Sequence, residues 1–282
     1  MPFGASKLPS VLFGKPFTET KLEFDPDSIL NSLTSLRTAG MRVFIILVGG
    51  SQRHYRNPDR TFNLAMWKAR LERFRGIDLS PFVKDGTILG HQLISEAKAR
   101  SQWGATVIPN DVLDGMARHS KELWPTMATM LRTDPTDLEE HASGYKTPCL
   151  DCKWSYLDAA SARYLARKGS VATFAADEQA SADRQKLALV VGLNVFSGGD
   201  GSSGITSPAE GKWAMSPDEL RVYGSAMLNQ TKPCAFEMWR YETPESEFAN
   251  YRYFRRPEIM AAMAELAALA ARTPARSCDG VP

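Results

Sequence analysis

The chain has 282 residues, 43% of them hydrophobic and 10% aromatic, which is enough apolar material for a sizeable core and excludes a disordered or collagen-like chain. Its 34 Lys+Arg stand against 32 Asp+Glu, so no basic field points to nucleic acid or an anionic membrane as a partner. The longest apolar stretch, residues 43–48, falls far short of the ~18 residues that a membrane span needs.

Residues 1–16 contain several Pro and Gly and no continuous apolar run, so they do not read as a secretory signal. With a leader already removed the protein would be secreted or periplasmic, and otherwise cytoplasmic. Residues 8–13 read as a first strand. Residues 25–40 read as a helix with Asp25 at the N-cap, Pro26 at the first helical position, Ile29, Leu30, Leu33 and Leu36 on one face, and Gly40 just past the end. Residues 41–48 are apolar almost without alternation, the pattern of a parallel strand covered on both faces.

Further strand-like runs occupy 87–94, 126–131, 153–157, 187–196 and 233–239. Helices are expected at 62–74, 110–123, 159–168, 171–185, 216–228 and 257–272. The helix at 216 opens with Ser216, Pro217 and Glu219, a capping box with proline in its first turn. Strands and helices alternating in this way predict a parallel sheet with right-handed crossovers. No Ser/Gly/Pro linker divides the chain, so the expected fold is α/β, a single (β/α) barrel of TIM type over residues 1–282, with a doubly wound sheet as the rival.

In such a barrel the functional groups lie at the C-terminal ends of the strands. That filter collects Glu96, Arg132 and Asp134, Asp158, Asn194 and Asp200, and Glu237, Trp239 and Arg240, with Gly49, Ser51 and Gln52 adding small polar groups. Several carboxylates beside arginines and an aromatic suit glycoside hydrolysis, which needs one carboxyl as acid and another as base or nucleophile. The candidate catalytic carboxylates are Glu96, Asp158 and Glu237. Glu96 is the first choice for the acid because it follows an apolar strand, where burial raises a carboxyl pKa. Candidate substrate contacts are His91, Arg132, Asn194, Asp200, Trp239 and Arg240. For His91 the plainer reading is a core histidine bonded to a neighbour. For Trp239, core and sugar platform weigh equally.

The segments Gly90-His91-Gln92-Leu93-Ile94-Ser95-Glu96 and Phe236-Glu237-Met238-Trp239 resemble strand ends of the TIM-barrel glycoside hydrolase superfamily, in which a late strand often carries an aromatic that floors the sugar site. The Asn-Glu pair that many members place at the end of the fourth strand is absent. Tyr156-Leu157-Asp158-Ala159-Ala160 and the glycine-rich run 198–204 are similar to bacterial proteins of the same architecture. The resemblance implies a carbohydrate-active hydrolase with a carbohydrate substrate. The alternative is a non-catalytic glycan-binding or scaffold protein on the same barrel, its carboxylates bonded to ligand hydroxyls or to Arg132 and Arg240.

Other motifs carry less. The loop 199–204 fits G-x-G-x-x-G, but Thr206, Ser207 and Pro208 follow it where a helix should open, so a polar loop over the mouth is expected rather than a nucleotide site. Cys149 and Cys152 form C-x-x-C without a second ligand pair, and Cys234 and Cys278 are distant in sequence. His54, His91, His119 and His141 show no zinc spacing. No metal and no cofactor are expected. The basic and aromatic segment 53–60 reads as a solvated loop, with a grip on phosphate or an acidic sugar as its sharper reading. Met215, Met227 and Met238 read as core. Oligomeric state is not legible.

Overall fold

The runs expected at 41–48, 87–94, 126–131, 187–196 and 233–239 all hold strands of one sheet. The computed structural model describes residues 1–282 except 15, 50, 140–152, 207–210, 240–252, 275 and 281–282. Eight parallel strands close into a barrel in sequence order: β1 (Phe3–Ser6), β2 (Glu19–Glu23), β3 (Arg42–Ile46), β4 (Ile88–Ser95), β5 (Thr129–Arg132), β6 (Ala159–Tyr164), β7 (Ala188–Leu193) and β8 (Pro233–Met238), with β8 returning to β1. The fold is the expected single (β/α)8 TIM barrel. Around it lie α1 (Ile29–Thr38), α2 (Leu64–Glu72), α3 (Ser80–Lys84), α4 (Asn110–Leu123), α5 (Pro135–Leu138), α6 (Val171–Gln185), α7 (Pro217–Gln230) and α8 (Pro257–Arg272). Among the described residues no helix is long and apolar enough to cross a membrane.

The absence of alternation in β3 has a direct cause. Val43, Ile45 and Leu47 join the large core beneath the helices, while Phe44 joins Met130, Ala159, Val190 and Ala235 in a smaller cluster inside the barrel. Both faces of the strand are therefore apolar and buried, each such side chain contributing roughly 1.5–3 kcal/mol. The capping box of α7 forms as expected, with Ser216 Oγ accepting from Glu219 N at 3.2 Å and Glu219 Oε2 accepting from Ser216 N at 2.7 Å. Met215, Met227 and Met238 are fully buried. The helix read from Asp25 opens one turn later, at Ile29, because the first turn closes on Asp25 itself: Ser28 N and Ile29 N both donate to its carbonyl.

Three strand readings are corrected. Residues 8–13 do not form the first strand; Ser10–Leu12 is a 3-10 turn between Pro9 and Gly14 with Val11 exposed, and β1 lies upstream at Phe3–Ser6. Residues 153–157 form no strand. The backbone N–H groups of Ser155, Tyr156 and Leu157 converge instead on the Asp114 carboxylate of α4. The helix expected at 159–168 is β6, an alanine-rich segment held between β5 and β7, where neighbouring strands override its helical propensity. Strand β2, Glu-Thr-Lys-Leu-Glu, lacks an apolar pattern because its charged side chains point into the barrel.

Cys234, at the start of β8, is disulfide-bonded to Cys278, and Cys278 packs in the interior cluster at the N-terminal end of the barrel. The segment after α8 is thereby tied across that end. Cys149, Cys152 and His141 lie outside the described residues.

Candidate functional site at the C-terminal mouth

Alternation along the strands decides which side chains reach the interior. On β2 these are Glu19 and Lys21, on β5 Arg132, on β6 Ser161 and Arg163, and on β8 Glu237, while Asn194 and Trp239 continue the pattern just past β7 and β8. In register, Gly4 of β1 pairs with Glu19 on one side and with Glu237 on the other. The missing side chain at Gly4 leaves the room that the Glu19 carboxyl fills: a Cβ there would stand 2.6 Å from Glu19 Oε2.

The result is a buried charged layer under the mouth. Glu19 is 0%, Lys21 2% and Glu237 1% exposed. Lys21 Nζ donates to Glu237 Oε1 at 2.5 Å, while Glu237 Oε2 and both Glu19 oxygens have no hydrogen-bond partner among the described residues. Burial, with the Glu237 charge adding to it, pushes the Glu19 carboxyl well above the usual carboxylate range. Burial also lowers the Lys21 ammonium to about 8; Glu237 opposes the fall, and Arg132 and Arg163 contribute to it.

Above this layer, Arg132 Nη2 donates to Glu96 Oε1 at 3.0 Å, and Arg163 Nη2 stands 3.7 Å from the same oxygen. The two guanidiniums lie 4.3 and 4.9 Å from the Trp239 ring centroid. Burial, and the neighbouring charge of Arg163, bring Arg132 down to about 9, still cationic at neutral pH. Glu96 has φ +56°, the left-handed region in which a non-glycine residue is strained. Its backbone is fixed there: Glu96 N donates to Arg132 O at 2.8 Å and Trp103 Nε1 donates to Glu96 O at 2.9 Å.

Two cavities open at this mouth and share Arg132. The smaller, about 290 Å³, is lined by Glu96, Asp134, Ser161, Arg163 and Asn194 among others, and the larger, about 550 Å³, by Lys21, Glu23, Tyr55, Gln92 and Trp239 among others. Asp134 is held by Lys168 and by Arg163 N. Asn194 Oδ1 accepts from Ser197 N at 3.2 Å. Ser51 and Gln52 line the larger cavity as expected of polar groups after β3.

Glu96, Arg132, Asn194, Glu237 and Trp239 are thus brought together at the C-terminal mouth. Asp158 is not. It precedes β6, so it stands at the opposite rim, where Oδ2 accepts from Thr129 N at 2.7 Å and faces Lys121 at 2.7 Å. The misplaced strand at 153–157 explains the error, because it made Asp158 follow a strand that it precedes. His91 is also corrected: it faces outward into the helix layer, its Nδ1 2.8 Å from Ser120 Oγ and its ring stacked on Trp67, so it is a core histidine with its pKa lowered by burial to about 3. Asp200 lies exposed on the loop after β7, away from both cavities, with its carboxylate accepting from Ser202 N. Arg240 lies outside the described residues. In the basic segment, Arg56 stacks on Trp103 and bonds Gln52, so it supports the loop.

The sequence reading missed Glu19, Lys21 and Arg163. Their signal was the polar alternation of Glu19-Thr20-Lys21-Leu22-Glu23 and of Ser161-Ala162-Arg163, a period of two with the polar set inward. Among the described residues no group of three or more His, Cys, Asp or Glu is arranged to hold a metal ion.

No protein-family model and no curated protein matches the chain. Among solved structures it is similar to the β-glucanase SdGluc5_26A from Saccharophagus degradans, with TM-score 0.59, 9% identity, and coverage of 96% of this chain and 88% of that one. It is also similar to the GH113 β-mannanase AaManA from Alicyclobacillus acidocaldarius, with TM-score 0.56, 12% identity and coverage of 92% and 90%. A D-psicose 3-epimerase matches with TM-score 0.54, 12% identity and coverage of 97% and 99%. The chain therefore shares the eight-stranded parallel barrel of TIM-barrel glycoside hydrolases and of a sugar epimerase, and at these identities the likeness is one of fold.

Proposed function

We propose that the protein is a carbohydrate-active hydrolase whose site is the C-terminal mouth, with Glu96 and Glu237 as its two carboxyl groups. The observation that carries this reading is Glu96 itself: a non-glycine residue kept at φ +56° at the end of β4, with its carboxylate turned onto two guanidiniums at a cavity wall. Backbone strain of this kind clusters at functional sites, where the surrounding structure over-determines it. The Glu96 side chain is 40% exposed, so it can meet a ligand. Two guanidinium contacts suit the anionic member of a carboxyl pair, a base or nucleophile, better than the general acid. Glu237 on the floor is the second carboxyl, anionic while it accepts from Lys21 and able to act as the acid only when Lys21 is displaced. Structural neighbours that act on glucan, mannan and ketose support a carbohydrate ligand.

The burial of Glu237 favours the second reading, a non-catalytic glycan-binding protein. At 1% exposure beneath Lys21 it does not reach a glycosidic bond unless Lys21 is displaced. One experiment separates the two: purified protein is tested for binding and for hydrolysis on a panel of oligosaccharides, with Glu96→Gln alongside. Hydrolysis by the wild type, abolished in Glu96→Gln while binding persists, supports the hydrolase. Binding without hydrolysis makes the protein a glycan binder, and no binding to any saccharide removes both readings.

A further inference from the structure

Among the described residues, the charged groups in contact at the mouth do not balance. Lys21, Arg132 and Arg163 face two carboxylates, Glu96 and Glu237. Of the other acids at the two cavities, Asp134 is held by Lys168 and Glu23 by Lys7 at 3.3 Å, while Asp137 shares the wall of the smaller cavity with Lys98 and Arg167. Glu19 lies beneath this set with neither oxygen bonded to a cation, and burial and the Glu237 charge favour its neutral form. One oxygen, Glu96 Oε1, serves both guanidiniums, at 3.0 and 3.7 Å. Arg132 is 6% exposed, lines both cavities, and has an Nε with no hydrogen-bond partner among the described residues; Nη1 of Arg163 has none among them either.

A buried cation without its counter-charge is expensive, and a protein that keeps one at a cavity wall gains when an anion completes the set. The geometry already fits an oxyanion. Both guanidinium groups rest on Trp239, and a guanidinium fork matches the two oxygens of a carboxylate or sulfate better than a sugar hydroxyl does. The same stacking occupies Trp239, whose ring then serves to hold the arginines at the mouth rather than to floor a neutral sugar.

We propose that the ligand is an acidic saccharide, one whose uronate carboxylate or sulfate ester is bound by Arg132 and Arg163 at the wall shared by the two cavities. This rests on the carbohydrate reading above and adds the charge of the ligand to it.

The test is calorimetric titration of the intact chain with three sets of short oligosaccharides of matched length: neutral gluco- and manno-oligosaccharides, oligouronates together with their methyl esters, and sulfated oligosaccharides. The charged ligands are expected to bind about tenfold or more tightly than the neutral ones, the increment of a charge-assisted hydrogen bond. The advantage should shrink at high salt and vanish on methyl esterification, a comparison that needs no protein variant. Arg163→Met should lose the preference for charged over neutral ligands, with its melting curve checked against wild type. Preference for the uronate or for the sulfate decides which oxyanion is read, and either supports the inference. Neutral sugars binding as tightly as charged ones would overturn it and leave the carbohydrate reading standing. Failure of every saccharide to bind would overturn both.

Discussion

Glu19 and Glu237 stand at one level of the barrel interior, on the strands flanking β1, with Gly4 between them in register with both. Two glutamates and Lys21 are thus gathered in a buried layer, next to the apolar cluster that fills the lower barrel. Their arrangement depends on glycine at two positions: a Cβ at Gly4 would stand 1.8 Å from Glu19 O, and one at Gly192 1.7 Å from Glu237 O.

Gly4→Ala is therefore expected to destabilise the protein by about 3 kcal/mol or more, since the clash is with backbone and the strands would have to separate. Urea unfolding of Gly4→Ala against wild type checks this, and an unchanged midpoint would show that β1 and β2 do not approach as described.

Glu19 predicts a pH dependence whose sign is fixed. Its folded pKa is raised, so its contribution to stability is fully present below the ordinary carboxylate value of 4.5 and is lost as pH rises through the folded value. Glu19→Gln, neutral and of similar shape, removes that loss. The variant should melt higher than wild type at neutral and alkaline pH, with the gap closing toward pH 4, as read from melting temperatures across the range.

Glu96→Gln should lower turnover about 10²- to 10⁴-fold on any saccharide that the wild type hydrolyses, the usual contribution of a positioned carboxyl group. Because glutamine still accepts from Arg132, ligand affinity should change far less than rate. Equal turnover in the two proteins would remove Glu96 from the chemistry.

The bond between Cys234 and Cys278 closes a loop of sequence separation 44, for which chain entropy gives about 4 kcal/mol. Cys278→Ser, or reductant added to the wild type, should lower the melting temperature measurably, and release of the C-terminal segment should make it accessible to protease. An unchanged melting temperature would mean that the bond carries no stability.

Much of the barrel is legible in the sequence because burial on both faces writes itself as uninterrupted apolar runs. Strands β3, β4, β5, β7 and β8 are each legible that way, α7 from its capping box and proline start, and α8 as an alanine-rich segment from Pro257. Glu96, Arg132, Asn194, Glu237 and Trp239 followed from a geometric rule that needs only the end of each strand. Where a strand carries polar or small side chains inward, as β2 and β6 do, the run is broken and the rule has nothing to act on. Asp158 shows the consequence, since moving one strand boundary carried it to the wrong rim of the barrel.

What the sequence determined by itself is therefore the architecture and a set of strand-end groups, because hydrophobic periodicity and capping are local and survive in one dimension. Only the tertiary structure decided which of those groups meet. Closure of β8 onto β1 brings Glu237 within reach of Glu19 and Lys21, and it is β6 that adds Arg163 to Arg132 over Trp239. Charge pairing in a closed barrel depends on register between strands far apart in the chain, and no local pattern encodes it.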